Sequence, residues 1–371
     1  MKTRISNIGQ LITPQGSHSP RGRKCGSLRI VQDVQMILHD DRIESIGAED
    51  DTPVDRFVDA EGGVVMPGLI DPHRHARMHR PSSEGGERPT PIERSLRRAL
   101  GVGVVGIELK CSEGIAGAGG LAELKAATED VPVYVWRTLL GWANGGDAQS
   151  RSERISALIG DVIPRVKRRH AAAFCDAAVG STGFSPREAE AILRAGMGAG
   201  FHPKTHAVGD GTQAAAAVAV GVGAASIDHV NEVPYRAAKE LRRQGVVCVV
   251  LPANAFLDGA PQPPARELID QGLPVALGTD FGAHLDGVES PWVLLSLVVR
   301  RLGLSLEEAV AAVTLNAAAA LRASADFGSL EAGKRADFLI LDMEDYRDIP
   351  RCVGASPVRK TFIAGEEVFG T

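Results

Sequence analysis

No stretch of this 371-residue chain approaches the ~18 consecutive uncharged apolar residues that a membrane helix needs, which excludes a bilayer-spanning segment. Basic residues are in slight deficit, at 41 Lys and Arg against 46 Asp and Glu, so the electrostatic footprint of a nucleic-acid binder is missing. The five cysteines (Cys25, Cys111, Cys175, Cys248 and Cys352) include no Cys-x-x-Cys pair, which excludes a paired-cysteine metal or redox motif and leaves reduced, mostly buried thiols. Met1-Lys2-Thr3-Arg4 runs into strand-like sequence instead of the apolar core of a signal peptide, so a cytoplasmic location is expected. Aromatics are few, at ten Phe, three Trp and three Tyr. A core built mainly of Ala, Val, Leu and Gly suits helices packed closely on a parallel sheet.

What is present begins with His73 and His75, which close the run Val64-Val65-Met66-Pro67-Gly68-Leu69-Ile70-Asp71-Pro72-His73-Arg74-His75. Side chains alternate faces along a strand, so both imidazoles point the same way from a strand end. A divalent metal takes imidazole nitrogens at roughly 2.0–2.1 Å, and a His-x-His strand end presents two of them without backbone strain.

The chain before that run alternates or runs apolar over Lys2–Ile12, Ser27–His39, Arg42–Gly47 and Phe57–Asp59, with turn signals between. Strand texture returns after residue 328 and over Val358–Val368. Between these ends, short Val, Ile and Leu runs alternate with helical patterns, the signature of repeated βα units on a parallel sheet. Eight runs are expected as strands: Val65–Asp71, Val104–Lys110, Val131–Thr138, Ala172–Asp176, Gly200–His206, Ala225–His229, Val246–Leu251 and Pro274–Thr279. Helices are expected over Pro91–Ala99, Pro186–Ala199, Tyr235–Gln244 and Ser305–Ala323, with capping boxes at Ser185 and Ser305. The expected fold class is α/β: a (β/α)8 TIM barrel over 65–325, with a small composite β-sandwich domain from both termini, 1–64 plus 326–371.

Polar groups at the C-terminal ends of barrel strands share one mouth. Four strands end in metal-compatible groups: His73 and His75, then His206, His229 and Asp280. A lone histidine ending an apolar strand reads as a satisfied core residue; four such strand ends together do not.

In their order these motifs resemble the amidohydrolase superfamily, and within it the imidazolonepropionase branch. The residues carrying the resemblance are Glu108-Leu109-Lys110-Cys111, Leu139-Leu140-Gly141, Phe174-Cys175-Asp176, Lys204-Thr205-His206-Ala207, Ile227-Asp228-His229 and the tail Asp345-Tyr346-Arg347-Asp348-Ile349-Pro350. The resemblance implies one divalent ion, zinc or else iron, on His73, His75, His206 and Asp280, with His229 beside it. It also implies a small-molecule substrate, a homodimer, and hydrolysis of a C–N bond in a small cyclic amide or amidine by a metal-bound hydroxide. Asp280 would accept the proton and His229 would polarise the carbonyl. A deaminase of an aminated heterocycle and a barrel that binds without catalysis are the alternatives.

The substrate grip departs from the branch. Its pattern expects an Arg after the His-x-His, a Tyr after the second strand, a His after the third-strand Leu-Gly, and a Glu three residues after the fifth-strand His. This chain has Cys111-Ser112-Glu113, Gly141-Trp142-Ala143 and His206-Ala207-Val208-Gly209. Arg77, Glu113, Trp142 and Lys110 are the candidate substrate contacts; Arg77 also reads as surface charge and Lys110 as the partner of Glu108 in an ion pair. Glu113 in place of a Tyr favours a cationic or amidine-bearing ligand. The fourth strand offers no Lys to bridge two ions.

Overall fold

The computed structural model describes residues 1–17, 26–48, 51, 53–76, 91–112, 124–125, 128–142, 148–282 and 287–370. Among these residues seven strands precede the barrel: β1 (Lys2–Ile8), β2 (Gln10–Pro14), β3 (Leu28–Val31), β4 (Val34–His39), β5 (Arg42–Gly47), β6 (Arg56–Asp59) and β7 (Val64–Pro67). Eight more follow in one parallel sheet ordered as in the chain: β8 (Leu69–His75), β9 (Val104–Ser112), β10 (Tyr134–Gly141), β11 (Phe174–Gly180), β12 (His202–Val208), β13 (Ser226–Asp228), β14 (Val247–Val250) and β15 (Val275–Leu277). Three strands complete the chain: β16 (Phe338–Leu341), β17 (Val358–Ile363) and β18 (Glu366–Gly370).

The parallel sheet curls into a nearly closed barrel with helices between its strands. Its first and last strands meet at the C-terminal end, where the Asp280 N–H donates to the His73 carbonyl and the His75 N–H to the Phe281 carbonyl, each at 2.9 Å. Gly278 permits that approach, because a Cβ there would lie 2.7 Å from the Cβ of His73.

The terminal strands form two further sheets, one ordered β5-β4-β1-β6 and one ordered β18-β17-β16-β7-β2-β3. Both termini thus supply the second sheet. Period-two alternation sorts its side chains: Leu11, Val65, Phe338 and Ile340 face a core shared with Ile5, Met36 and Leu38 of the first sheet, while Ile12, Val64, Met66 and Leu339 join the barrel core.

The expected strand Val65–Asp71 is in fact two. Pairing breaks at Gly68, where Met66 and Val65 belong to the terminal sheet and Leu69 begins the barrel. A Cβ at Gly68 would lie 2.5 Å from Val105, so only glycine allows the chain to pass from one sheet to the other there. Lys2–Ile12 likewise divides into β1 and β2, in different sheets.

Both capping boxes form. At Ser185 the hydroxyl accepts from the Glu188 amide at 3.4 Å, and Glu188 accepts from the Ser185 N–H at 2.7 Å; Ser305 and Glu308 repeat the pattern at 3.2 and 2.8 Å. The helix expected over Ser305–Ala323 breaks into Leu306–Ala312 and Leu315–Ala320, because Thr314 leaves helical geometry and its hydroxyl donates to the Val310 carbonyl at 2.6 Å.

Candidate metal centre

Strand alternation puts His73 and His75 of β8, Glu108 and Lys110 of β9, Lys204 and His206 of β12, and Ser226 and Asp228 of β13 into the barrel lumen, two per strand. His229 and Asp280 follow β13 and β15 with φ of 58° and 53°, left-handed conformations that β-carbon crowding disfavours and that collect at functional sites.

These residues converge. His73, His75 and Asp280 each offer a ligand atom within 4.8 Å of the others, and so do His73, His206 and His229. The Asp280 Oδ1 stands 3.3 Å from His73 Nε2 and 3.1 Å from His75 Nε2, and its Oδ2 stands 3.8 Å from His229 Nε2. The His206 and His229 rings are 4.2 Å apart. His73, His206 and Asp280 are buried, whereas the side chains of His75 and His229 keep 19% and 25% of their exposure, so these two rings form the rim.

The hydrogen bonding of this group shows whether it suits a cation. Among the described residues, His73 Nε2, His206 Nδ1, His229 Nε2 and Asp280 Oδ1 are buried without a hydrogen-bond partner. Orphaned buried polar atoms are costly, and four in one cluster need something to satisfy them. Imidazole nitrogens with one carboxylate oxygen are the donor set of zinc and of iron. The residues fit a divalent ion.

The supporting contacts fix the donors. His73 Nδ1 lies 2.8 Å from Asp228 Oδ2, which selects the tautomer that leaves Nε2 for the centre. Asn254 donates to Asp280 Oδ2, leaving Oδ1 toward the imidazoles. Asp71 accepts from the Thr279 amide and hydroxyl and from the His73 amide, tying the two closing strands beneath the site.

Below the imidazoles lies a fully buried ion network. The Lys110 ammonium stands 2.7 Å from Asp176, 2.8 Å from Asp228 and 3.1 Å from Glu108; Lys204 pairs with Glu108 and lies 3.6 Å from Asp228. Burial works to lower the Lys110 pKa, but Asp176, Asp228 and Glu108 overcome it and hold the ammonium well above its ordinary range. Burial likewise works to raise Asp228, and Lys110 and Lys204 hold it well below instead. Burial, with His206 next, pushes His229 well below its ordinary 6.5, so its ring is neutral.

Lys110 donates to Glu108 and Asp176 and stands 2.8 Å from Asp228, a buried ion-pair partner below the imidazoles. Trp142 is half-buried and edge-on to the His206 ring at 5.3 Å, at the rim. Arg77 and Glu113 lie outside the described residues. Burial pushes the Cys111, Cys175 and Cys248 thiols up to about 12, which keeps them uncharged in the core. Sequence reasoning missed Asn254, Lys204 and the link from Asp228 to His73. The first leaves no signal beyond its place after the seventh strand. The others leave one: polar residues recurring at period two inside apolar strands, as in Glu108 and Lys110, Lys204 and His206, Ser226 and Asp228.

A parallel barrel with histidines and an aspartate at its strand ends defines a metal-dependent hydrolase class. The Amidohydrolase family matches residues 82–369, and the chain belongs to that family, within its imidazolonepropionase-like branch. It is 31% identical to the imidazolonepropionase of Deinococcus deserti over 99% of this chain and 100% of that one, and 32% identical to that of Geobacillus thermodenitrificans over 98% and 97%. In fold it is similar to an amidohydrolase from an environmental sample of the Sargasso Sea, at a TM-score of 0.77 and 18% identity over 100% of this chain and 93% of the other. Family membership makes it a hydrolase of C–N bonds. Among the described residues no helix is long and apolar enough to cross a membrane.

Proposed function

We propose that this enzyme hydrolyses a C–N bond of a small cyclic amide or amidine with an imidazolone-like ring, using one divalent ion, zinc foremost, held by His73, His75, His206 and Asp280. The observation that carries this reading is the convergence of donor atoms at the mouth of the barrel, four of which, on His73, His206, His229 and Asp280, are buried without a hydrogen-bond partner among the described residues. The ion, when bound, supplies Lewis acidity and lets water attack near neutral pH. Asp280, its Oδ2 held by Asn254, takes the proton of the attacking water and returns it to the leaving nitrogen. Neutral His229, on the rim, polarises the scissile carbonyl or amidine carbon and stabilises the tetrahedral state. Trp142 gives a planar ring an aromatic wall beside His206.

The relatives named imidazolonepropionase support the ring type. The missing Arg, Tyr, His and Glu positions support a substituent other than the propionate, with Arg77 and Glu113 as its proposed contacts. The chain is further read as a cytoplasmic homodimer, which light scattering and cell fractionation check.

The test is a panel of cyclic amides and amidines, with imidazolone propionate included, followed by product mass. Ring opening adds one water, whereas a deaminase would exchange NH for O. Activity is expected to need the metal and to vanish with chelator. Imidazolone propionate turned over as well as any other ring would remove the proposed divergence, and no turnover anywhere by the metal-loaded enzyme would favour the binding-protein alternative.

A further inference from the structure

The buried network beneath the imidazoles holds three carboxylates, Glu108, Asp176 and Asp228, against two ammoniums, Lys110 and Lys204, all with side chains wholly shielded from solvent. That leaves one negative charge, and Asp280 brings a second. A metal takes its imidazole ligands in the neutral form, so the histidines add none. Asp71 touches the centre only through the His73 amide. Among the described residues, the network and Asp280 together carry two negative charges, the complement of one divalent ion.

Lys110 is placed as a cation among anionic ligands. Its ammonium meets Asp176, Asp228 and Glu108 at 2.7, 2.8 and 3.1 Å, and two of these carboxylates lead directly to imidazoles. Asp228 Oδ2 is 2.8 Å from His73 Nδ1, and Asp176 Oδ2 is 3.6 Å from His206 Nδ1. Independently of the charges, one further atom among the described residues, Asp176 Oδ1, stands buried without a hydrogen-bond partner on this side of the centre, beside the already noted His206 Nδ1. A carboxylate set with orphaned oxygen and nitrogen donors would draw in a hard or borderline divalent cation were the ammonium absent.

We propose that Lys110 is the built-in second cation of this centre: its ammonium fills the place among Asp176, Asp228 and Glu108 that another metal ion would otherwise take, and it thereby fixes the centre at one divalent ion. The inference rests on reading the imidazole cluster as a metal centre. Lys204 cannot take the same role, since it pairs with Glu108 and lies farther from the carboxylates that touch the imidazoles, at 3.6 Å from Asp228.

The experiment loads the full-length protein with excess zinc, desalts it, and counts zinc per chain by elemental analysis and native mass spectrometry. The series is wild type, His73→Ala, Lys110→Arg, Lys110→Met and the charge-restored double variant Lys110→Met with Asp176→Asn. The expected counts are one for wild type and Lys110→Arg, two for Lys110→Met, and one again for the double variant. One zinc in a folded Lys110→Met, with one in wild type, overturns this inference and leaves the metal centre standing. No zinc in wild type, or zinc that survives His73→Ala undiminished, overturns the centre itself and this inference with it. If Lys110→Met does not fold, wild type and Lys110→Arg decide: saturation at one zinc under excess metal supports the assignment, and a second retained zinc in either overturns it.

Discussion

Phe338 and Phe362 stack at 4.4 Å in the core between the terminal sheets, while Lys110 and Asp228 meet at 2.8 Å in the barrel, and both pairs are fully buried. In the first interior, burial of apolar area is itself the stabilising term, at about 25 cal/mol per Å². In the second, each charge loses its hydration, and only a complete set of partners offsets that loss. The terminal core tolerates hydrophobic exchange of similar volume; in the barrel lumen the loss of a partner strands a buried charge. An interior built the costlier way is one kept for what its groups do, and the orphaned atoms above it show where.

The contrast can be broken most severely at Asp280. Asp280→Asn keeps shape and volume, so a cooperative melt near that of wild type is expected alongside a loss in kcat/KM of about 10⁴-fold, or about 5 kcal/mol of barrier. Steady-state kinetics beside a thermal melt checks it, and activity left untouched would end the catalytic reading of this residue. In the terminal core the effect should reverse its character: Phe338→Ala is expected to cost about 3–5 kcal/mol of stability with activity per folded chain unchanged, measured by denaturant unfolding and by kinetics below the transition. An equal loss of activity would mean that the two interiors are coupled.

Asp337 sharpens the comparison from the border between the two regions. Burial raises its carboxyl from an ordinary 3.8 to about 6, against the Ala364 amide and Arg335, which work to lower it. Because the folded value is the higher one, stability is fullest below about pH 3.8 and falls as pH rises to about 6. Asp337→Asn removes that loss. The variant is expected to be more stable than wild type above pH 6, by up to about 3 kcal/mol, with the difference fading toward pH 4. Melting both proteins at pH 7.5 and pH 4 checks the sign. The smallest effect is at the caps: Ser185→Ala and Ser305→Ala should each cost about 1 kcal/mol and leave the metal count alone.

The eight strands of the barrel were legible because parallel strands buried on both faces read as apolar runs, and the metal-compatible residues were legible because they sit where those runs stop. The passage at Gly68 was not, since Val64 to Ile70 is one unbroken apolar run and only pairing partners distant in the chain divide it. Thr314 broke a helix whose apolar spacing continues through it. Asn254 reaches Asp280 from a different element, and nothing in the local sequence marks it.

The sequence by itself determined the alternation of strands and helices, the two-residue step that puts His73 and His75 on one face, and the donor types available at the strand ends. These follow from backbone periodicity and side-chain chemistry, both local. Only the tertiary structure decided that Asp228 orients His73, that Lys110 is shared by three carboxylates from three strands, and that four donor atoms are left without partners among the described residues. Each of these depends on distances between residues tens to hundreds of positions apart, which closing the barrel sets and no local pattern encodes.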